Sequence, residues 1–441
     1  MRDSRGSLPS ASGSGSGGES GPQPDLVGGW LSFLWRARAL EALQYREFRL
    51  LWLGQLTTAI GQWMDQVARG WLLYDLTGSP LQLGLVGMIR IVPLLLLSPI
   101  AGTMADRYGR KTQLIAAQTA NAVANIILGL LILHGGVEPW HVYATGLIAS
   151  TVQVFQQPAR QAMVPESVDR AHLTNAIGLN SIAFNMSRMV GPAVAGAIIA
   201  LIGPGGSYLA QAGIYMLSTL WTLQLRLPNR APTSGVGRAR GERFVDSTVA
   251  GWSYVARHAT IRSGMMVSVV ISFFGFSVNS LLPVFAKDVL QAGPTGQGAL
   301  LAAMGIGAVF SAFFVATVGD TLPKGLLMVG GVTLYGLCAI GFSASHWLAL
   351  SMAFMVVIGI CNVMSNTLIQ TVLQAVSAPE MRGRVMGVYQ QHQVLIALGG
   401  LAAGACAQAW GAQPTVAFFG AACAASALAV YAAVPHVRTI R

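Results

Sequence analysis

Gly102-Thr103-Met104-Ala105-Asp106-Arg107-Tyr108-Gly109-Arg110-Lys111 lies between two apolar runs, 81–102 and 112–134. Each run is about 20 residues, the length a helix needs to cross the hydrocarbon core of a bilayer. A tight loop therefore joins two membrane spans. Arg107, Arg110 and Lys111 stand at the span ends, and basic residues in short loops favour the cytoplasmic side. That orientation propagates to every other segment.

Outward from this loop the chain divides into twelve apolar segments: roughly 50–74, 81–102, 112–134, 141–163, 176–202, 207–225, 264–286, 297–318, 326–344, 347–372, 385–409 and 414–435. The connections at 75–80, 134–140 and 203–206 contain no Lys or Arg, and Lys287 is the one basic residue in the later connections on that side. The alternate connections hold Arg170, then Arg226, Arg230, Arg238, Arg240, Arg243, Arg257 and Arg262, then Lys324, then Arg382 and Arg384. One span missed or invented would invert every later loop, so this asymmetry supports twelve spans with both termini cytoplasmic.

A chain 53% hydrophobic and 10% charged is too apolar for a soluble protein and reads as multi-pass, in the inner or plasma membrane. Its formal net charge of +11 is spread through loops, which marks topology and not a nucleic-acid surface. Cys338, Cys361, Cys406 and Cys423 fall inside apolar segments with neither C-x-x-C spacing nor neighbouring His, so free thiols are expected, with no disulfide and no metal site. There is no Walker loop and no nucleophile spaced to a base, hence no enzyme and no cofactor is expected.

The sequence predicts five regions. Residues 1–46 are a Ser/Gly/Pro-rich disordered tail with an interfacial lead-in, 47–226 an N-terminal six-helix bundle, and 227–263 a cytoplasmic linker with a short amphipathic helix. Residues 264–435 form a C-terminal six-helix bundle and 436–441 a tail. In the linker helix Phe244, Val245, Trp252 and Val255 are expected to face the membrane. Pro165-Glu166 recurs as Pro379-Glu380, an offset of 214 residues, and the same offset carries Asp106 onto Asp320 in Gly319-Asp320-Thr321-Leu322-Pro323-Lys324. Two loops sharing one offset indicate a duplicated architecture.

Polar side chains are costly in a bilayer core and normally face a cavity or another helix. Span 1 carries Gln62, Asp65, Gln66 and Arg69 at i, i+3, i+4, i+7, with Gln55 a heptad earlier. Span 4 repeats the spacing with Gln153, Gln156, Gln157 and Arg160. Span 10 has Asn362, Ser365, Asn366 and Gln370, and span 7 the weaker set Ser277, Asn279 and Ser280. Stripes on every third span suit four three-helix units around an aqueous cleft; interhelical hydrogen bonding in a packed bundle is the plainer alternative. Asp65 is the acid well inside a span, able either to carry a proton or to pair with Arg69, and His392 is a second titratable candidate. Arg90 and Arg188, near the middle of spans 2 and 5, make the interior net positive and favour an anionic or polyhydroxylated guest; the alternative is that they tie helices together through carbonyls.

The opening run, read as G-x-x-x-D-R-x-G-R-K, resembles the loop between spans 2 and 3 of the major facilitator superfamily. The resemblance implies an all-α membrane protein of twelve transmembrane helices in two pseudo-symmetric six-helix halves. It also implies a latch at Gly102, Asp106, Arg107, Gly109, Arg110 and Lys111, in which Asp106 and Arg110 hold the halves closed on the cytoplasmic side and release during transport. Gly102 would let a neighbouring helix approach, and Asp106 could face a positive helix end. Gly191-Pro192-Ala193-Val194-Ala195-Gly196 resembles the G-P-x-x-x-G part of a motif in facilitator antiporters, expected to bend span 5 at Gly191, Pro192 and Gly196. Phe48-Arg49-Leu50-Leu51-Trp52-Leu53-Gly54-Gln55, Leu76-Thr77-Gly78-Ser79-Pro80 and Pro165-Glu166 leading to Asn175-Ala176 are similar to the branch of enterobactin exporters and macrolide efflux proteins. That resemblance implies a monomeric secondary exporter of small organic molecules, driven by exchange with protons. A lysophospholipid translocator of the same fold and a non-transporting membrane sensor are the alternatives.

Overall fold

The computed structural model describes residues 38–107, 109–226, 244–318 and 323–433. The tail up to residue 37, the linker stretch 227–243, the second-copy loop around Asp320 and the tail from 434 lie outside the described residues, as do the side chains of Gly102, Asp106, Arg107, Phe244, Val245 and Ser277.

Arg46–Thr77, Pro80–Arg107, Arg110–Leu133 and Pro139–Met163 are spans 1 to 4. Leu173–Leu223 is one hydrogen-bonded run that breaks at Gly203, where φ is 76° and ψ is 173°, giving span 5 (173–202) and span 6 (204–223). A side chain rarely tolerates that torsion, so a single glycine replaces the loop expected at 203–206. The linker helix Phe244–Arg257 leads into span 7, Ala259–Val289, which contains two π-helical turns, Ile271–Gly275 and Phe285–Val289. Gly293–Val318, Lys324–Ser343, Leu348–Val376, Pro379–Trp410 and Ala412–Ala433 are spans 8 to 12; span 11 breaks at Gln391.

Local chemistry sets the ends. Gly78, left-handed at φ 60°, returns its N–H to Tyr74 and stops span 1, and proline opens spans 2, 4 and 11. Nine helices among the described residues are long and apolar enough to cross a membrane, one of them the run containing both spans 5 and 6. Spans 1 and 4 complete the twelve and fall short on apolarity, because they carry the Gln, Asp and Arg stripes.

The linker helix packs on the C-terminal half and not outward. Val255 is 3% exposed, correcting its expected membrane-facing position. Tyr254 Oη accepts the Ala378 N–H at 3.2 Å, and Trp252, half exposed, donates its indole N–H to Gln391 Oε1 at 3.1 Å. The lead-in is likewise docked: Ala42 is buried with its N–H on Asn175 Oδ1 at 2.9 Å, and the Tyr45 hydroxyl donates to Asp169 at 2.6 Å.

The halves meet at the end of the molecule away from the chain termini, here the distal end. A Cβ on Gly196 of span 5 would stand 2.6 Å from Pro294 O, and one on Gly298 of span 8 would stand 2.5 Å from Pro192 O. The crossing of spans 2 and 11 repeats this: a Cβ on Gly404 would be 2.6 Å from Pro80 O, and one on Gly84 2.7 Å from Gly400 O. Pro80 and Pro294, like Gly84 and Gly298, are 214 residues apart. The duplication seen in sequence is therefore a pseudo-twofold relation between two backbone-on-backbone crossings, the small-residue packing that membrane helices use.

Gly298→Val should wedge the distal end apart. With spin labels on cysteines placed at the exposed distal positions 134 and 346, in a background without the native cysteines, the distance distribution should lengthen in Gly298→Val. It should stay unchanged in Gly87→Val, since Gly87 faces open space. An unaltered distribution in Gly298→Val would show that the crossing does not hold the halves.

Candidate transport path

Span 1 turns its charges into the N-terminal half. Asp65 and Arg69 are 6% and 2% exposed and joined in a fork: Arg69 Nε donates to Oδ2 at 3.0 Å and Nη2 to Oδ1 at 2.7 Å. Arg69 Nη1 donates to Val142 O at 2.5 Å and Thr145 Oγ1 at 2.9 Å, which ties span 1 to span 4. Such charge-assisted, bidentate contacts are what a buried pair requires. Gln55, Gln62 and Gln66 are partly exposed instead. Span 4 divides the same way, with Gln153 and Gln157 partly exposed and Gln156 and Arg160 buried. Each stripe thus straddles a boundary, with its charges, and in span 4 also Gln156, toward the bundle interior and the other amides partly exposed.

In span 10 Asn362 and Ser365 are buried, and Asn366 spends its amide N–H on Asn362 O at 2.9 Å. The open face lies further along: Thr367, Gln370, Thr371, Gln374 and Ala375, with Arg382 of span 11, line a shallow, open groove of about 440 Å³. The offset of 214 carries Gln153, Gln156, Gln157 and Arg160 onto Thr367, Gln370, Thr371 and Gln374, a signal in the sequence that would have picked out this face. It also carries Asp65 onto Asn279 of span 7, whose Oδ1 is buried without a partner.

Arg188 of span 5 holds its guanidinium 5.5 Å over the Trp63 ring, its Nε without a partner. The ion pairs of the described residues are Arg46–Glu47, Asp65–Arg69, Arg110–Glu166, Glu41–His172 and Asp75–Lys287, so none involves Arg90, Arg160 or Arg188. His392 stands beside the break in span 11, its Nδ1 2.7 Å from Tyr389 O, while the Tyr389 hydroxyl donates to Asn366 Oδ1 at 3.1 Å.

The Gly191–Gly196 motif is a contact surface with Pro192 inside the helix, and the torsional break that separates spans 5 and 6 falls further on, at Gly203. A Cβ on Gly191 would be 2.7 Å from Trp63 Cβ, so the motif seats span 5 on span 1 and, through Pro192 and Gly196, on span 8. In the loop after span 2, Arg110 pairs with Glu166 at 2.5 Å and Lys111 caps the end of span 6 on Leu223 O and Leu225 O at 2.8 and 2.7 Å. Both contacts stay within the N-terminal half. Gly109 begins span 3, and Gly102, Asp106 and Arg107 belong to span 2 by backbone.

The polar contacts joining the halves cluster distally. The Tyr74 hydroxyl donates to Asp288, its partner 214 residues on. Residues at the same position of two repeats can meet only at the pseudo-twofold axis. Lys287 Nζ pairs with Asp75 Oδ1 at 2.5 Å and lies 6.0 and 5.8 Å from the Trp71 and Tyr74 rings. The Ser79 hydroxyl donates to Gln408 Oε1 at 2.7 Å.

A sequence profile described as transmembrane secretion effector matches residues 37–441. The chain belongs to this family of the major facilitator superfamily. It is similar to the staphyloferrin A transporter of Staphylococcus aureus (strain NCTC 8325 / PS 47), 27% identical, with 82% of this chain and 89% of that protein covered. It is also similar to the multidrug efflux pump Tap of Mycolicibacterium fortuitum, 27% identical over 77% of this chain and 83% of that one. In fold it is similar to a bacterial homologue of the human lysosomal transporter Spinster, crystallised inward-facing and unoccupied, with TM-score 0.67, 15% identity, and 92% and 97% of the two chains covered. The chain is accordingly a multi-pass membrane protein and a secondary transporter.

The Asp75–Lys287 pair is solvent-exposed, so it should contribute about 0.2–1 kcal/mol to distal closure. Lys287→Asp should raise the distal-open population in the same label-distance experiment, and the exchange Asp75→Lys with Lys287→Asp should restore closure. If the double exchange opens the end further than either single change, the pair is not part of the gate.

Proposed function

We propose that the protein exports small anionic or polyhydroxylated organic molecules by alternating access, coupled to protons, as a monomer with both termini in the cytoplasm. The observation that carries this reading is the pairing of a sealed distal end with an amide- and hydroxyl-lined face near the termini, beside arginines that have no acid partner. An anionic guest supplies the missing countercharge, whereas a cationic guest would meet Arg90 and Arg188 in a low-dielectric interior. Gln55, Gln62, Gln66, Gln153, Gln157 and Asn279 are proposed to hydrogen-bond the guest, and the mouth around Gln370 and Arg382 to admit it.

Asp65 is proposed as the coupling group. Protonation turns one Asp65 oxygen from acceptor to donor, so a bound proton and the two-pronged Arg69 fork exclude one another, and Arg69, which reaches span 4 at Val142 O and Thr145 Oγ1, loses its countercharge. Span 1 also carries Tyr74 and Asp75 of the distal gate, about two to three turns beyond Asp65. His392 is the secondary candidate.

In vesicles containing purified protein, an outside-acid pH step should drive anionic members of a compound panel and leave lipophilic cations unmoved. Asp65→Asn should abolish gradient-driven movement while substrate exchange without a gradient persists, with the unfolding temperature measured alongside because Arg69 loses its carboxylate. Arg188→Gln should raise KM for anions about tenfold or more, as expected for one lost charged contact, with little change for neutral polyols. Gradient-driven transport by Asp65→Asn equal to wild type would remove Asp65 from coupling, and a preference for cations would overturn the substrate class.

A further inference from the structure

The lead-in helix Arg38–Gln44 is fastened to the turn between spans 4 and 5 by side chains that neither the gate nor the open face uses. The Tyr45 hydroxyl donates to Asp169 Oδ2 at 2.6 Å and lies 3.1 Å from His172 Nδ1. His172 Nε2 lies 3.5 Å from Glu41 Oε2. Glu41 belongs to the lead-in helix, Tyr45 precedes span 1, and Asp169 and His172 belong to the turn that enters span 5. One imidazole thus stands between three parts of the chain.

Counting protons assigns the state of that ring. A phenol has one proton and an ionised carboxylate can only accept, so the Tyr45 proton goes to Asp169. The contact with His172 is then a hydrogen bond only if Nδ1–H donates to the Tyr45 oxygen. A neutral ring with its proton on Nδ1 turns a bare lone pair at Nε2 toward the Glu41 carboxylate, whereas a ring with both protons donates to each side. Imidazolium alone satisfies every contact in the cluster. Among the described residues the titratable groups facing His172 are Glu41 from the lead-in, Tyr45 from the start of span 1 and Asp169 from its own turn. Arg46 and Glu47 pair with one another, and Arg49 and Arg170 are exposed. The bond to Asp169 raises the Tyr45 hydroxyl above the ordinary phenol range. Carboxyls ordinarily ionise near pH ~4, whereas imidazole titrates between about pH 5 and 8.

We propose that this cluster is a proton-operated clasp on the face bearing the termini: protonation of His172 bridges it to Glu41 and draws the lead-in helix onto the turn between spans 4 and 5. The bridge is complete below the imidazole range and is lost as pH rises through it. The Ala42 N–H on Asn175 Oδ1 holds the lead-in in either state, so the clasp tunes docking and does not create it. Both partners keep solvent contact, at 26% and 44% side-chain exposure, which limits the effect to a few-fold change in the docked fraction. Span 1 starts at the clasp and runs through Asp65 to Tyr74 and Asp75, so acid in this compartment restrains the helix that carries the gate.

The test is a nitroxide on a cysteine at Leu40, which is 49% exposed, in a background without the native cysteines and in lipid nanodiscs. The ratio of immobilised to mobile signal should be a few-fold higher at about pH 5.5 than at about pH 8, with one midpoint in the imidazole range. His172→Gln and Glu41→Gln should each remove this pH dependence. His346→Gln, on the exposed distal surface, should leave it intact. A wild-type ratio that does not change with pH, or a pH dependence that survives in His172→Gln, would overturn the clasp. Glu41→Gln decides the matter in the same way if His172→Gln does not fold, and the readout is independent of transport.

Discussion

Backbone of one half meets backbone of the other at the distal end, where Gly196 lies on Pro294 and where Gly404 lies on Pro80. In hydrocarbon there is no hydrophobic drive to bring helices together, so association depends on how closely their surfaces can fit. Removing side chains at these crossings allows the two halves to touch at the distal end. The pair of crossings is one design used twice, at positions 214 residues apart on spans 2 and 8. The Tyr74–Asp288 bond on the pseudo-twofold axis and the Asp75–Lys287 pair beside it are available to form because the crossings have already closed that end. Individually these polar contacts are small; together with the crossings they make a closure that can be undone.

The polar residues then follow from where closure occurs. With the distal end sealed, the amides of Gln153 and Gln157 and the face from Thr367 to Gln374 are the polar surfaces left in contact with solvent toward the termini. Charges are kept further in. Asp65 and Arg69 satisfy one another and a carbonyl, whereas Arg188 leans on an aromatic face and Arg160 on neutral oxygens. A half-molecule with more buried cations than acids is electrostatically incomplete alone. That is the physical basis for proposing an anionic cargo in the cleft.

Much of the fold is legible in the chain because a bilayer imposes few solutions: length and apolarity identify spans, and the Lys and Arg of the loops orient them. Spans 1 and 4 show the limit, since the stripes that mark them as functional also lower their apolarity. Spacing could indicate which helices carry polar groups but not which members of a stripe turn outward, because i, i+3, i+4 and i+7 cover an arc wide enough to cross a boundary. Asp65 and Gln66 are neighbours in the pattern with different exposures. Span 10 shows a related limit: Asn362 and Asn366 match the template, yet Asn362 is buried and Asn366 bonds Tyr389 and its own helix. Val255 and the Gly191–Gly196 motif depended on which neighbour lies opposite, and the single-helix pattern does not contain that information. The partnership of Tyr74 with Asp288 is written in the repeat offset, but it becomes meaningful only once an axis is known.

The central claim is that one solvated hollow is reached from one compartment at a time. The most direct measurement is reaction of single cysteines at Gln157 and Gln370 with a membrane-impermeant thiol reagent, applied separately to each face of oriented vesicles. The account predicts reaction from the face bearing the termini when no gradient is imposed. When the distal crossing is wedged open by a bulky residue at Gly298, protection from that face and reactivity from the other should appear together. Reaction from neither face, or from both at once in the unmodified protein, would contradict it.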